Sequence, residues 1–395
     1  MITEKQNKKI GLVIRYVKNH NNYGSSLVNF AMLSLIRKLG YDCEIIQYKK
    51  QVSFSKKLWM LAQMFRIRAY DDQIRDLKAK ISMKLHKNYA TYIATRALAV
   101  NRFKEEKIDP FVHLYEGFEN LSKGSLNYDA VVVGSDQLWT PMSLYNKYFN
   151  LLFVDDSIPK ISFGTSFGVA RLHKLQVKPY GEFLDRFAFI SVRELQGKNL
   201  VETVSHQKAQ VVCDPTLMLT REDWAKEIEN STANVSEPYI FCYLLGVNPE
   251  TRKAINELKQ KTGFKIIAIR HMDEYIESDE QFGDEAPYDV SPTDFVKYIS
   301  EAEYVCTDSF HATIFSILFH KKFMTFYRYS TQLKESRNSR IDSLCALLEL
   351  EERIYKNGIS LIENEISYDE VDTKLNILRE ESLLYLKESL EKSVL

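Results

Sequence analysis

SPTDFVKYISEAEYVCTDSFHATIFSILFHKKFMTFYR, residues 291–328, is the stretch that decides the fold. Ser291 stands where a helix N-cap belongs, and Pro292 where the first helical residue belongs. EYVCT (303–307) is a short β-type run, TDSFHATIFS (307–316) opens an apolar stretch at helical spacing, and KFMTFYR (322–328) is a second strand. Helix, strand, helix and strand in one run predict an α/β chain with a parallel sheet and right-handed crossovers. Asp308, Ser309 and His311 fall at a strand-to-helix junction, where polar groups either cap the helix or meet a ligand.

The same alternation extends toward the N-terminus. Candidate strands are 11–17, 43–48, 130–134, 161–165, 187–192 and 209–213, then 239–246 and 265–270 before the two already named. These runs are nearly continuous in Val, Ile, Phe and Leu, as in strands covered on both faces. SSLVNFAMLSLIRKLG (25–40) reads as a helix ending on Gly40. The polar stretch EIENSTANVSEP (227–238) separates six strands from four. The expectation is therefore two Rossmann-like domains facing a cleft, 1–230 and 231–366, with an acidic C-terminal helix, 367–395, packed back on the first. Residues 49–108 break the alternation and read as a basic helical insertion containing WMLAQMF (59–65).

At 395 residues the chain exceeds a typical single core. Its 53 basic residues balance 53 acidic ones, which argues against nucleic acid as a partner. The balance is uneven along the chain: 14 Lys/Arg oppose three Asp between Tyr48 and Lys104, while 13 acidic residues oppose six basic ones from Ile341 onward. The basic stretch is either a solvated helical hairpin or a surface for anionic lipid headgroups. Five cysteines are scattered singly, in the manner of buried reduced thiols. With no apolar run near the roughly 18 residues a bilayer span needs, the expected location is cytoplasmic, with 49–104 as the candidate for contact at the inner membrane face.

Ligands of open α/β sheets bind beyond the carboxyl ends of the strands. Asn22, Tyr23 and Gly24 follow the first strand, Asp136 and Trp139 the run at 130–134, Ser166 the run at 161–165, and Arg193 with Glu194 the run at 187–192. Asp308, Ser309, Phe310 and His311 follow EYVCT, and Arg328 closes KFMTFYR. His311 suits proton transfer beside an anion held at a helix start, and Arg193 suits a bidentate grip on carboxylate or phosphate. Asp136 could accept from sugar hydroxyls while Trp139 offers a ring face. The plainer alternatives are a structural histidine, an Arg193–Glu194 salt bridge, a capping Asp136, a core Trp139, a turn at Asn22–Gly24 and a surface or capping Arg340. No G-x-G-x-x-G follows the first strand, and there is no P-loop, H-E-x-x-H or D-x-D. Chemistry without a metal or bound cofactor is the expectation.

NNYGSSLVNFAML, VVVGSDQLW, SFGTSFG, ISVRE, CDPTLML, the 291–328 stretch and SRIDSL occur in one order over about residues 10–355. Together they resemble the polysaccharide pyruvyl transferase family. The resemblance implies a GT-B-like fold and transfer of a pyruvyl group from phosphoenolpyruvate to two hydroxyls of a sugar, giving a cyclic ketal and phosphate. It implies that Arg193 and His311 bind the donor, with His311 as the acid that protonates the enol methylene carbon. Many members carry Arg-Leu-His where this chain has Ser309-Phe310-His311, a form of a bacterial subgroup. The resemblance thus leaves Arg340, Arg328 or Lys321 to replace the missing cation. It further implies an acceptor in capsule or exopolysaccharide synthesis, of galactose type and carried on a lipid. The alternatives are a nucleotide-sugar glycosyltransferase of the same fold and a non-catalytic glycan-binding relative.

Overall fold

The computed structural model describes residues 8–18, 20–50, 81–169, 171–273, 275–328, 338–356 and 358–394. WMLAQMF (59–65) lies outside them. Among the described residues seven strands precede Asn230: β1 (Lys9–Val13), β2 (Asp42–Lys49), β3 (Val112–Glu116), β4 (Ala130–Val133), β5 (Lys160–Ser162), β6 (Ile190–Val192) and β7 (Ala209–Val211). Four follow: β8 (Tyr239–Tyr243), β9 (Lys265–Ile269), β10 (Tyr304–Thr307) and β11 (Lys322–Thr325). The first sheet runs β3-β2-β1-β4-β5, and the second runs β11-β10-β8-β9. Bridges from Ile161 to Phe189 and from Thr165 to Val192 attach the parallel β6–β7 ribbon to the β5 edge. Every registered strand pair is parallel. The α/β reading with two Rossmann-like halves therefore holds.

In each sheet the strand order reverses once, between β1 and β4 and between β8 and β10. Such reversal points open a crevice at the carboxyl ends of the strands, which is where ligands settle. All four residues of β4 and of β10 are buried, so apolar continuity follows from coverage on both faces. Between the halves runs a shared apolar cluster. Tyr23, Leu27 and Ala31 of the helix Tyr23–Lys38 pack there with Phe310, Ile314, Phe315 and Leu318 of the helix Phe310–Leu318.

Two expectations change. The strand β3 was not anticipated, because it is a polar edge strand whose Leu114 is 47% exposed, so it carries no apolar run. Its presence also recasts 49–108. That stretch connects β2 to its parallel neighbour β3, and its described residues include the helix Lys87–Lys107. Several of its cations serve the protein itself. Arg96, 1% exposed, donates to the carbonyls of Tyr288 at 2.9 Å and Pro287 at 3.0 Å, and Lys104 Nζ donates to Val17 O at 2.8 Å. Arg102 pairs with Asp289.

The helix Tyr368–Val394 crosses both halves: Val371 and Leu375 join the shared cluster, while Leu386 and Leu390 join Ile10, Leu12 and Ile45 beneath the first sheet. The five cysteines are buried and free. Among the described residues no helix is long and apolar enough to cross a membrane.

Candidate functional site

Asp214 is the point on which the two halves converge. It follows β7 and caps the short helix Pro215–Met218, accepting from Thr216 N at 3.0 Å and Thr216 Oγ1 at 2.7 Å through one oxygen. Its other oxygen takes Arg193 Nη1 at 2.5 Å and Ser135 Oγ at 3.1 Å, and stands 3.9 Å from His311 Nε2. Arg193 comes from the carboxyl end of β6, and His311 from the first turn of the helix that follows β10. Both are buried. Nε and Nη2 of Arg193, and Nε2 of His311, have no hydrogen-bond partner among the described residues. Buried polar atoms left open in this way are suited to the polar groups of a ligand.

Phe310 organises the cations. The Arg193 guanidinium lies 5.1 Å from its ring centroid and that of Arg340 lies 5.2 Å away. Arg340 stands in the first turn of the helix Ser339–Leu347. Arg193, Asp214, Phe310 and Arg340 line one narrow cleft, backed by Leu217 and Leu344. Gly24 allows the halves to meet there: a Cβ at Gly24 would sit 2.2 Å from His311 Nδ1, so only glycine leaves the imidazole its place.

The charges are strongly coupled. Burial pushes the His311 imidazole down to about 4; Asp214 opposes the shift and Arg193 adds to it. Burial alone would raise the Asp214 carboxyl, but Arg193 and then His311, with the Thr216 bonds, hold it below the usual range. Asp136 is likewise held well below that range against its burial, by Arg15, Arg193, Arg340 and His311. Its φ of 88° is a conformation that L-residues seldom adopt, and its carboxylate accepts from Gln137 N at 2.8 Å. Glu194 differs: burial pushes its carboxyl up in spite of Arg193, the Ser166 hydrogen bond and Arg340.

His311, Arg193, Phe310, Arg340 and Asp136 are thus brought together. Ser309 is spent as the N-cap of its helix, accepting from Ala312 N at 3.4 Å, and Asn22 caps the helix Tyr23–Lys38 through Ser25 N at 3.1 Å. Ser166 is fully buried and donates to Glu194, so it orients that carboxylate. Three assignments need correction. Trp139 presents no face to a sugar: it is 1% exposed, its Nε1 donates to Phe149 O, and Phe167, Phe183 and Phe187 surround it. Tyr23 is packing between the halves, stacked on Phe295 at 4.5 Å with its hydroxyl on Val290 O. Lys321 precedes β11 and donates to Ser300 O, which puts it at the opposite end of the sheet from His311.

Arg328 packs its stem beside Gly246 and acts on Asp308, whose carboxylate holds Leu245 N and Gly246 N at 2.6 and 2.7 Å. Sequence reasoning puts Gly24, Glu194 and Asp214 beyond strand ends but gives none of them a role in the site. The Asp-Pro-Thr after a strand was visible, but its capping role gave no sign that the free oxygen also reaches Arg193 and His311.

Two Rossmann-like halves closing on a buried cluster of Arg, His and Asp define a GT-B-like architecture. Residues 22–330 match the model of the polysaccharide pyruvyl transferase family, and the chain belongs to that family. No match was found among curated proteins. Similar solved structures include a protein of Listeria monocytogenes assigned as a UDP-N-acetylglucosamine 2-epimerase. It is 10% identical over 98% of this chain and 97% of that one, with a TM-score of 0.51. The UDP-GlcNAc 2-epimerase of Methanocaldococcus jannaschii is 11% identical over 94% and 92%, with a TM-score of 0.48. At such identity the likeness to the Listeria protein shows the fold alone.

Proposed function

We propose that this protein transfers the pyruvyl group of phosphoenolpyruvate to two hydroxyls of one sugar, closing a cyclic ketal and releasing phosphate. The observation that carries the reading is the meeting of Arg193, from the first half, with His311, from the second, on Asp214, with Arg340 sharing the Phe310 ring. A donor bearing both a carboxylate and a phosphate needs two cationic forks, and Arg193 and Arg340 are such a pair. Arg340 then takes the part of the arginine missing at Ser309. Arg328, turned toward Asp308, and Lys321, at the far end of the sheet, do not.

In the unliganded site His311 is neutral, since its burial depresses the imidazole to about 4. Arrival of a multiply charged donor raises it, so protonation is coupled to binding. His311 then delivers the proton to the enol methylene carbon, and one acceptor hydroxyl attacks the cationic carbon that results. The two guanidiniums supply the positive charge that this chemistry asks for, so the reading calls for no metal. Its acceptor is a galactose-type sugar of capsule or exopolysaccharide synthesis, carried on a lipid at the cytoplasmic membrane face.

The test is phosphate release from phosphoenolpyruvate against free and lipid-linked galactosides, with the new ketal methyl followed by proton NMR. Phosphate release together with a ketal methyl is the expected result. No release with any acceptor, alongside turnover of a nucleotide sugar, overturns the reading.

A further inference from the structure

Pyruvyl transfer, if the reading above is right, needs a group that takes protons from the acceptor hydroxyls. His311 is committed to the methylene carbon. Asp136 and Asp214 are ionised and held by guanidiniums, which makes them poor proton acceptors. One carboxylate of the cluster has no assigned work. We propose that Glu194 is the general base that receives the acceptor hydroxyl protons and returns one to the departing phosphate.

The placement of Glu194 supports this. It follows Arg193 directly at the carboxyl end of β6 and is 3% exposed. One of its oxygens takes the Ser166 hydroxyl, while Oε2 has no hydrogen-bond partner among the described residues. Ser166 in turn donates its N–H to Asp136 O at 3.0 Å, so its hydroxyl fixes Glu194 against the backbone contact that joins Asp136 to the end of β5. The charged groups acting on it are Arg193 and Arg340; Arg193 acts also on Asp136, Asp214 and His311, and Arg340 on Asp136 and His311. Burial moves its carboxyl upward, toward the range in which a base works near neutral pH. A buried oxygen left open within the field of the two arginines is suited to accept a proton from an arriving hydroxyl.

The steps balance. His311 gives a proton to the methylene carbon, and the first hydroxyl oxygen bonds to the central carbon as its O–H bond breaks and its proton passes to Glu194. The carbon–oxygen bond to phosphate then breaks, and Glu194 returns that proton to the leaving group, which departs as hydrogen phosphate. The second hydroxyl bonds to the carbon and its proton goes to Glu194, then to solvent, which restores His311. One proton enters at carbon, two leave the hydroxyls and one departs with phosphate.

The test compares Glu194→Gln and Glu194→Asp with the full-length wild type, using phosphoenolpyruvate and an accepted galactoside. Glu194→Gln should lower kcat by about 100-fold or more, with KM for phosphoenolpyruvate within about threefold. Wild-type kcat should fall toward acid as the base is protonated, and the Gln variant should lose that limb of the profile. Glu194→Asp should restore part of the rate together with the limb, which decides the matter if the Gln variant folds poorly. A Gln variant within about fivefold of wild type, or an Asp variant with no acid limb, overturns the assignment while leaving pyruvyl transfer intact. If the wild type itself releases no phosphate with any diol, both fall together.

Discussion

Gly24 is the smallest part of the site and the one with least room. A methyl group there would sit 2.2 Å from His311 Nδ1, so either the imidazole or the helix start has to move. Gly24→Ala should therefore lower turnover by at least about tenfold, since a shift of about 1 Å misaligns the proton donor proposed at His311. The drop should exceed what the change in thermal stability explains, and a variant with near-normal kcat would contradict the contact. His311 supplies a second residue-scale prediction. Its imidazole titrates near 4 in the native protein against an ordinary 6.5, so between those pH values the unfolded chain holds a proton that the folded site refuses. Stability is fully present above pH 6.5 and is lost as pH falls toward 4, by an amount on the order of 3 kcal/mol. Urea midpoints at pH 5 and pH 7 should differ by less in His311→Gln than in the wild type. An unchanged difference would mean that other groups carry the acid sensitivity.

At the scale of elements, the helix Lys87–Lys107 ties the halves together. Beyond the Arg96 bonds, Tyr92 stacks on Tyr288 at 3.7 Å and Tyr89 donates to Met272 O at 3.0 Å. Replacing Arg96 by Met keeps the stem but leaves the carbonyls of Tyr288 and Pro287 without their donor. The expected loss is about 2–4 kcal/mol of unfolding free energy, read from urea melts. A loss under about 1 kcal/mol would mean that water replaces the guanidinium without penalty. This element also shows where sequence was legible and where it was not. Strands β1, β4 and β10 could be read because both faces are covered and most of their residues are apolar. Strand β3 could not, because an edge strand with exposed side chains has no such signature. The positions of Arg193 and His311 were legible from the rule that function collects beyond the carboxyl ends of strands. Trp139 and Tyr23 were misread by the same rule, since it locates a residue along the strand but not which way its ring turns. Glu194 stayed hidden because its neighbour Arg193 suggested a salt bridge, whereas Arg193 pairs with Asp214 from another strand.

For the whole molecule the question is whether the halves unfold together. The apolar cluster that joins Leu27 to Ile314 is continuous between them, and the helix Tyr368–Val394 is anchored at both ends. Leu375 is 1% exposed within the shared cluster, and Leu386 is fully buried beneath the first sheet. Truncating either to Ala removes a buried side chain and leaves a cavity, at about 2–5 kcal/mol each. Because one rigid helix carries both anchors, either change should lower the stability of both sheets by the same amount. Native-state hydrogen exchange at β4 amides reports the first sheet and at β10 amides the second. Leu386→Ala should speed exchange in β10 as much as in β4, and Leu375→Ala should do the same in reverse. If Leu386→Ala loosens β4 and leaves β10 untouched, the halves are independent folding units. The groups that meet on Asp214 would then be brought together by a bound ligand rather than by the fold.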